Sequence, residues 1–116
     1  MTPEKLADYL RHMQEGAQSA SGYIAGMEKP AFFADKRTQQ AVIMNLVIIG
    51  EAATRVMSEF PEFASAHPDI PWRNMRGMRN RIAHGYFDID LDQVWETTQT
   101  SLPELSEKLA LWVRSG

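Results

Sequence analysis

The chain has 116 residues, 44% apolar and 23% charged, with no cysteine and a formal net charge of −3. That length suits one domain spanning residues 1–116 with a single core; the missing cysteine excludes disulfides and thiolate chemistry, and the mild acidity excludes a generally basic nucleic-acid coat. No run of about 18 apolar residues suggests a membrane span, and polar residues interrupt "MTPEKLADYL" where a signal peptide needs an apolar stretch, so a cytoplasmic protein without membrane attachment is expected.

In chain order, Thr2 is a candidate N-cap with Pro3 in the first helical position. Leu6, Leu10, Met13, Ala17, Ala20, Ile24 and Met27 then recur at alternating spacings of four and three, a sustained helical stripe. Small residues at Ala17, Ala20 and Gly22 invite close approach by another helix. Pro30 ends this helix or closely follows its end. Residues 31–35, "AFFAD", read as a connection with buried phenylalanines, and Asp35 as the cap of the next helix. There Val42, Leu46, Ile49, Ala53 and Val56 repeat the spacing, and "AVIMNLVIIG" is apolar nearly all round. A central helix running to about Glu59 is predicted; a buried strand is the competing reading of so much valine and isoleucine. Gly50 in its middle costs roughly 1 kcal/mol relative to alanine, so a close packing contact is expected to compensate.

Residues 60–71, "FPEFASAHPDIP", carry three prolines and read as an irregular connection. A third helix begins near Pro71 and ends near Gly85, a residue suited to a left-handed C-terminal turn. Asp90 caps a fourth, with Gln93 placed as in a capping box. Its buried side is Leu91, Val94, Trp95, Thr98, Leu102, Leu105, Leu109 and Trp112. Pro103 interrupts that pattern: it kinks one helix, or Ser101 caps a fifth. Trp72, Trp95 and Trp112 read as core or interface residues. The fold class is an all-α bundle of four to five helices.

The third helix concentrates the chemistry. Arg73, Arg76, Arg79 and Arg81 fall within nine positions, so a polyanion would meet the protein there. At about 100° per residue, Arg73, Asn80 and His84 lie to one side of Arg76 and Arg79 to the other. Arg79 and His84 mark the two edges of this polar face, roughly 140° apart, while Met75, Met78 and Ile82 turn towards the core. Side chains that diverge so far grip one group only if the helix loosens before Gly85 or a second subunit closes over them. Arginine offers planar, bidentate donors to phosphate and keeps its charge. Histidine can both take and give a proton near neutral pH. Asn80 can orient the histidine or donate to phosphate, and Tyr86 adds a hydroxyl and a stacking ring. Arg73 and Arg76 suit flanking phosphates. On spacing alone a plain reading stands level with this one: solvated helix charges, with His84 at the C-terminal carbonyls.

Elsewhere, Glu51 and Arg55 stand four apart on the central helix and are expected to pair with each other, with reach to the site as the lesser alternative. His12 and His67 lack metal-ligand company and read as surface residues. Asp88, Asp90 and Asp92 lack the glycine and terminal glutamate of a calcium loop, and capping accounts for the last two. No metal site or cofactor is expected.

The stretch "RNRIAHGY", Arg79 to Tyr86, fits an arginine, four residues, a histidine, one residue and a tyrosine. It resembles the signature of the HepT-like toxins, a branch of the HEPN superfamily of small helical proteins. The resemblance extends through "FADKRTQQAVIMNLVIIGEAATRV", "PDIPWRNMRGMRNRIAHGYFDIDLDQVWET" and "LPELSEKL", most of the chain. It implies a HEPN-type bundle and a two-fold homodimer whose arginine–histidine motifs face each other. It also implies a metal-independent endoribonuclease toxin of a toxin–antitoxin system, in which the ribose 2′-OH attacks the adjacent phosphate. Arg79 and His84 would be catalytic with Asn80 beside them. The implied partners are RNA and an MntA-like minimal nucleotidyltransferase antitoxin, and Tyr86 corresponds to the tyrosine that such a partner modifies with AMP. The alternative is a non-catalytic HEPN module that binds a nucleotide or that partner and is modified by it. A helical assembly domain without chemistry is the third reading.

Overall fold

The computed structural model describes residues 2–113. Among them there is no strand, and seven α-helical segments form the chain. Helix α1 (Pro3–Tyr23) starts as its sequence dictates: the Thr2 hydroxyl accepts from the Lys5 N–H and Pro3 occupies the first turn. Leu10, Met13, Ala17 and Ala20 are its buried stripe. The helix ends before the pattern does, at Tyr23, and the chain turns through Gly26 in a left-handed conformation (φ +79°).

The supposed connection at 31–35 belongs to a short helix, α2 (Lys29–Ala34), with Pro30 in its first turn. Pro30 therefore starts a helix, because a proline in the first turn forfeits no intrahelical hydrogen bond. Phe32 is fully buried and packs against Trp95 at 5.3 Å between ring centres, while Phe33 remains exposed.

Asp35 then caps α3 (Lys36–Glu59), accepting from the Thr38 N–H at 3.1 Å and its hydroxyl at 2.7 Å. These two donors hold the Asp35 carboxyl below its ordinary range. A carboxylate depressed in the folded state stabilises fully above its unfolded value, about pH 4, and loses that contribution as pH falls through the folded value. Asp35→Asn keeps the cap geometry and removes the charge. Its urea midpoint is expected below that of the parent at pH 7, with the gap narrowing as pH falls below about 4; a gap independent of pH would contradict the charge-assisted cap.

By length and hydropathy alone α3 could cross a bilayer (mean hydropathy 1.4 over its most apolar 18 residues). Its buried residues, Val42, Leu46, Ile49, Gly50, Ala52, Ala53 and Val56, are consumed by α1 and α5 (Trp72–His84), which pack along it. Two glycines set these contacts. A Cβ on Gly16 of α1 would lie 2.8 Å from Ile49 Cγ1. One on Gly50 would lie 2.3 Å from Arg79 Cβ and 2.7 Å from the Met75 carbonyl oxygen of α5. The expected compensation for Gly50 is thus present. Gly22, expected to help a close approach, faces open space; Gly16 fills that role.

Residues 60–71 also hold a helix, α4 (Pro61–Ala66), again begun by a proline. His67, expected at the surface, is half-buried, its ring 4.3 Å from that of Phe63 and 4.4 Å from that of Trp112. Its carbonyl accepts from Trp72 Nε1 at 3.0 Å. Trp72 and Trp95 are core residues, but Trp112 stays 46% exposed as the lid of this aromatic cluster. Asp90 caps α6 (Leu91–Glu96) through the Asp92 and Gln93 N–H groups. Helix α6 runs on through a π-helical turn at Thr97–Ser101 into α7 (Leu102–Leu109). Ser101 is helical and caps nothing, so Pro103 does not start a fresh helix. The wider turn just before it accommodates a residue without an N–H.

Candidate active site

Helix α5 carries the polar cluster. Its buried residues are Trp72 and Ile82, with Met75 and Met78 partly buried, as the helical wheel requires. It ends at His84, with Gly85 as its C-cap. Gly85 has φ −161°, extended backbone rather than the left-handed turn expected of it. A 3-10 turn, Tyr86–Asp88, follows at once. The chain thus leaves the helix sharply and throws Tyr86 and Phe87 into solvent, 66% and 95% exposed, their rings edge to face at 5.8 Å.

The side chains of the cluster divide into two settings. His84 is exposed at the helix end. Asn80 is half-buried and its side chain makes no hydrogen bond among the described residues. Arg73 and Arg76 are exposed and line a cleft of ≈ 750 Å³ against α4, with Asn74, Ser65 and Pro61. Arg81 borders a second cleft of ≈ 380 Å³ between α5 and the π turn.

Arg79 is different. It does not stand on the outer surface with the others; its side chain is 25% exposed and lies in the crossing of α5 over α3. Nη2 donates to Thr54 Oγ1 at 3.2 Å, Nη1 lies 3.8 Å from Glu51 Oε2, and buried Nε has no acceptor among the described residues. A buried donor without a partner carries a desolvation cost of about 1–3 kcal/mol, and such groups concentrate where function requires them.

Glu51 and Arg55 do pair, at 3.3 Å, and the pair holds the Arg55 guanidinium still further above its ordinary value. Glu51 also comes within 3.8 Å of Arg79, so one network links the pair to that arginine. It continues from Arg55 to Glu59 at 3.7 Å and on to the Tyr9 hydroxyl, which donates to Glu59 at 3.0 Å. Thr54 has no counterpart in the sequence reading. Its only local sign is a position one helical turn beyond Gly50.

Two of the three aspartates serve the fold: Asp90 caps α6 and Asp92 pairs with Lys29, whose ammonium that hydrogen bond holds above its ordinary value. Among the described residues no three histidine, aspartate or glutamate side chains converge as metal ligands.

The all-helical bundle, with an arginine, an asparagine and a histidine on one helix and a tyrosine just past its end, is consistent with a HEPN type of fold. Residues 13–111 match the family described as ribonuclease HepT-like, and the chain belongs to that family. It is 37% identical over 101 residues to a protein named probable ribonuclease HepT from Thermococcus cleftensis, covering 87% of this chain and 89% of that one. It is 31% identical, over 87% of this chain and 88% of the other, to a candidate RNase from Caldanaerobacter subterraneus subsp. tengcongensis. A longer protein of Methanocaldococcus jannaschii, named for both gamma-glutamylcyclotransferase and candidate RNase functions, is 34% identical over 87% of this chain but only 44% of its own length. No solved structure is significantly similar.

Proposed function

We propose that the protein is a metal-independent endoribonuclease, the toxin of a toxin–antitoxin pair, whose site is completed by a second copy of the chain. The observation that carries this reading is the division of labour on α5. Arg79 is anchored in a helix crossing with its charge at the edge, and His84 stands free at the end of the same helix. Neither Arg79 nor His84 lines the clefts beside α5, so a wall from another subunit is what would enclose a phosphate between them.

In the proposed reaction His84 of one copy takes the proton of a ribose 2′-OH, and His84 of the second copy protonates the leaving 5′-oxygen. The 2′-oxygen bonds to phosphorus and the P–O5′ bond breaks, giving a 2′,3′-cyclic phosphate and a 5′-OH. Arg79 neutralises the charge that builds on the phosphoryl oxygens, an interaction stronger in the transition state than in the ground state. Asn80 orients the reacting groups, and Arg73 and Arg76 hold neighbouring phosphates. Total RNA treated in a chelator is expected to be cut by the parent and spared by Arg79→Ala and His84→Ala; undiminished cutting by both variants refutes the assignment. A parent that is monomeric at micromolar concentration counts against the composite site.

A second reading draws on Tyr86. Its exposed hydroxyl is open to an MntA-like nucleotidyltransferase, and an added AMP would place bulk and negative charge beside the motif, opposing RNA. If the chain were only a target of modification, expressing it without the partner would leave growth unaffected. The toxin reading expects arrest that vanishes with His84→Ala.

A further inference from the structure

The ribonuclease reading rests on Arg79, and what aims that side chain is not on its own helix. We propose that Thr54 of α3 is a positioning residue for Arg79, a neutral tether that fixes the guanidinium while leaving its charge for the substrate phosphate. This inference rests on the catalytic reading of Arg79 above.

Three observations converge on it. First, α5 crosses α3 so closely at Gly50 that a Cβ there would lie 2.3 Å from Arg79 Cβ and 3.1 Å from its Cγ. The root of the arginine is therefore held by backbone contact. Second, the far end meets Thr54, one turn further along α3, where Nη2 donates to Oγ1 at 3.2 Å. Third, the Thr54 hydroxyl donates its own hydrogen to the Gly50 carbonyl at 2.8 Å. A hydroxyl has one hydrogen and two lone pairs, so that bond commits its donor and leaves only acceptor capacity for the arginine. The orientation is thus settled in one sense, and the branched side chain in a helix has little χ1 freedom with which to lose it.

The neighbouring carboxylate does not do the same work. Glu51 is 49% exposed, stands 3.8 Å from Arg79 Nη1 and is shared with Arg55 at 3.3 Å. At 3.8 Å it makes no hydrogen bond, and an exposed ion pair contributes little and is screened by salt. The directed hold is the hydroxyl. Because it is neutral, it orients the guanidinium without cancelling the charge needed on the phosphoryl oxygens. A displacement of about 1 Å in such a group can cost up to about 100-fold in rate.

The test is steady-state cleavage of one RNA in chelator by the parent, Thr54→Val, Thr54→Ser and Arg79→Ala, together with the Arg79 Nη–Hη resonances in ¹⁵N spectra, because Nη2 is the nitrogen that meets Thr54. Thr54→Val keeps the shape and removes the acceptor. Its kcat is expected to fall about tenfold with KM nearly unchanged, the pattern of an interaction used in the transition state. Thr54→Ser is expected to restore most of the loss. An Nη–Hη signal is expected to be slowed in rotation and exchange in the parent and in Thr54→Ser, and to lose that protection in Thr54→Val. Parental kcat in Thr54→Val, equal losses in the Val and Ser variants, or unchanged Nη–Hη signals each overturns the positioning role. If any of these occurs while Arg79→Ala is inactive, the catalytic reading survives and Thr54 alone is wrongly assigned. If Arg79→Ala cleaves like the parent, both fall together.

Discussion

Replacing His84 by alanine is expected to lower RNA cleavage by about 10²- to 10⁴-fold, the range that a positioned general acid or base contributes. The side chain is exposed at the last position of α5 and makes no hydrogen bond among the described residues, so folding should be untouched. That separates it from most disabling substitutions, which act through stability. Arg79→Ala is expected to lose about 10²- to 10³-fold, the range for removing one donor that stabilises transition-state charge. Arg79→Lys should not rescue it. Lysine keeps the charge but cannot span Thr54 and a phosphate with one planar fork. Rates with circular dichroism on the same samples check this; a loss of rate that tracks a loss of fold would assign the residues to structure instead.

The largest expected effect on folding lies at Gly50. An exposed mid-helix glycine gains roughly 1 kcal/mol when changed to alanine. Here the added Cβ meets Arg79 Cβ at 2.3 Å and a backbone oxygen, Met75 O, at 2.7 Å, so α5 has to move. Overpacking costs about 1–3 kcal/mol and exceeds the propensity gain, so Gly50→Ala is expected to lower stability. Gly50→Leu should cost more than alanine does, a serious fraction of the 5–15 kcal/mol that holds a domain together. Both variants should also lose cleavage, because the contact they break is the one that roots Arg79. Urea unfolding decides it: a Gly50→Ala protein more stable than the parent would mean that the helices do not meet there.

What could be read in advance follows from how local each feature is. Thr2, Asp35 and Asp90 cap helices by bonding to N–H groups two or three residues on, so their roles lie within a few letters of sequence. The stripes of α1 and α3 repeat over many turns, and on α3 that length favours a helix over the strand that its valines and isoleucines also suit. Helices α2 and α4 have six residues each, too few for a periodic pattern, and Pro30 and Pro61 were read as breakers when they stand in first turns. The π turn before Pro103 depends on how that helix seats Thr98 and Leu102 in the core, which no periodicity records. Gly50 was legible because a glycine in an apolar helix needs a reason. Which residue faced it was not legible, since the offset between α3 and α5 is a property of neither sequence alone. For the same reason the motif could be read and Thr54 could not. The wheel placed Arg79 at one edge of the polar face, and only the crossing shows that this edge is tucked against α3.

The central claim is that the α5 surface cleaves RNA through the ribose 2′-hydroxyl. The most direct measurement is the chemistry of the ends produced from one labelled RNA in chelator, beside the same RNA with its 2′-hydroxyls methylated. The expected result is fragments ending in 2′,3′-cyclic phosphate and beginning with 5′-OH, none from the methylated strand, and none with His84→Ala. Fragments beginning with 5′-phosphate, or cutting of the methylated strand, would contradict it.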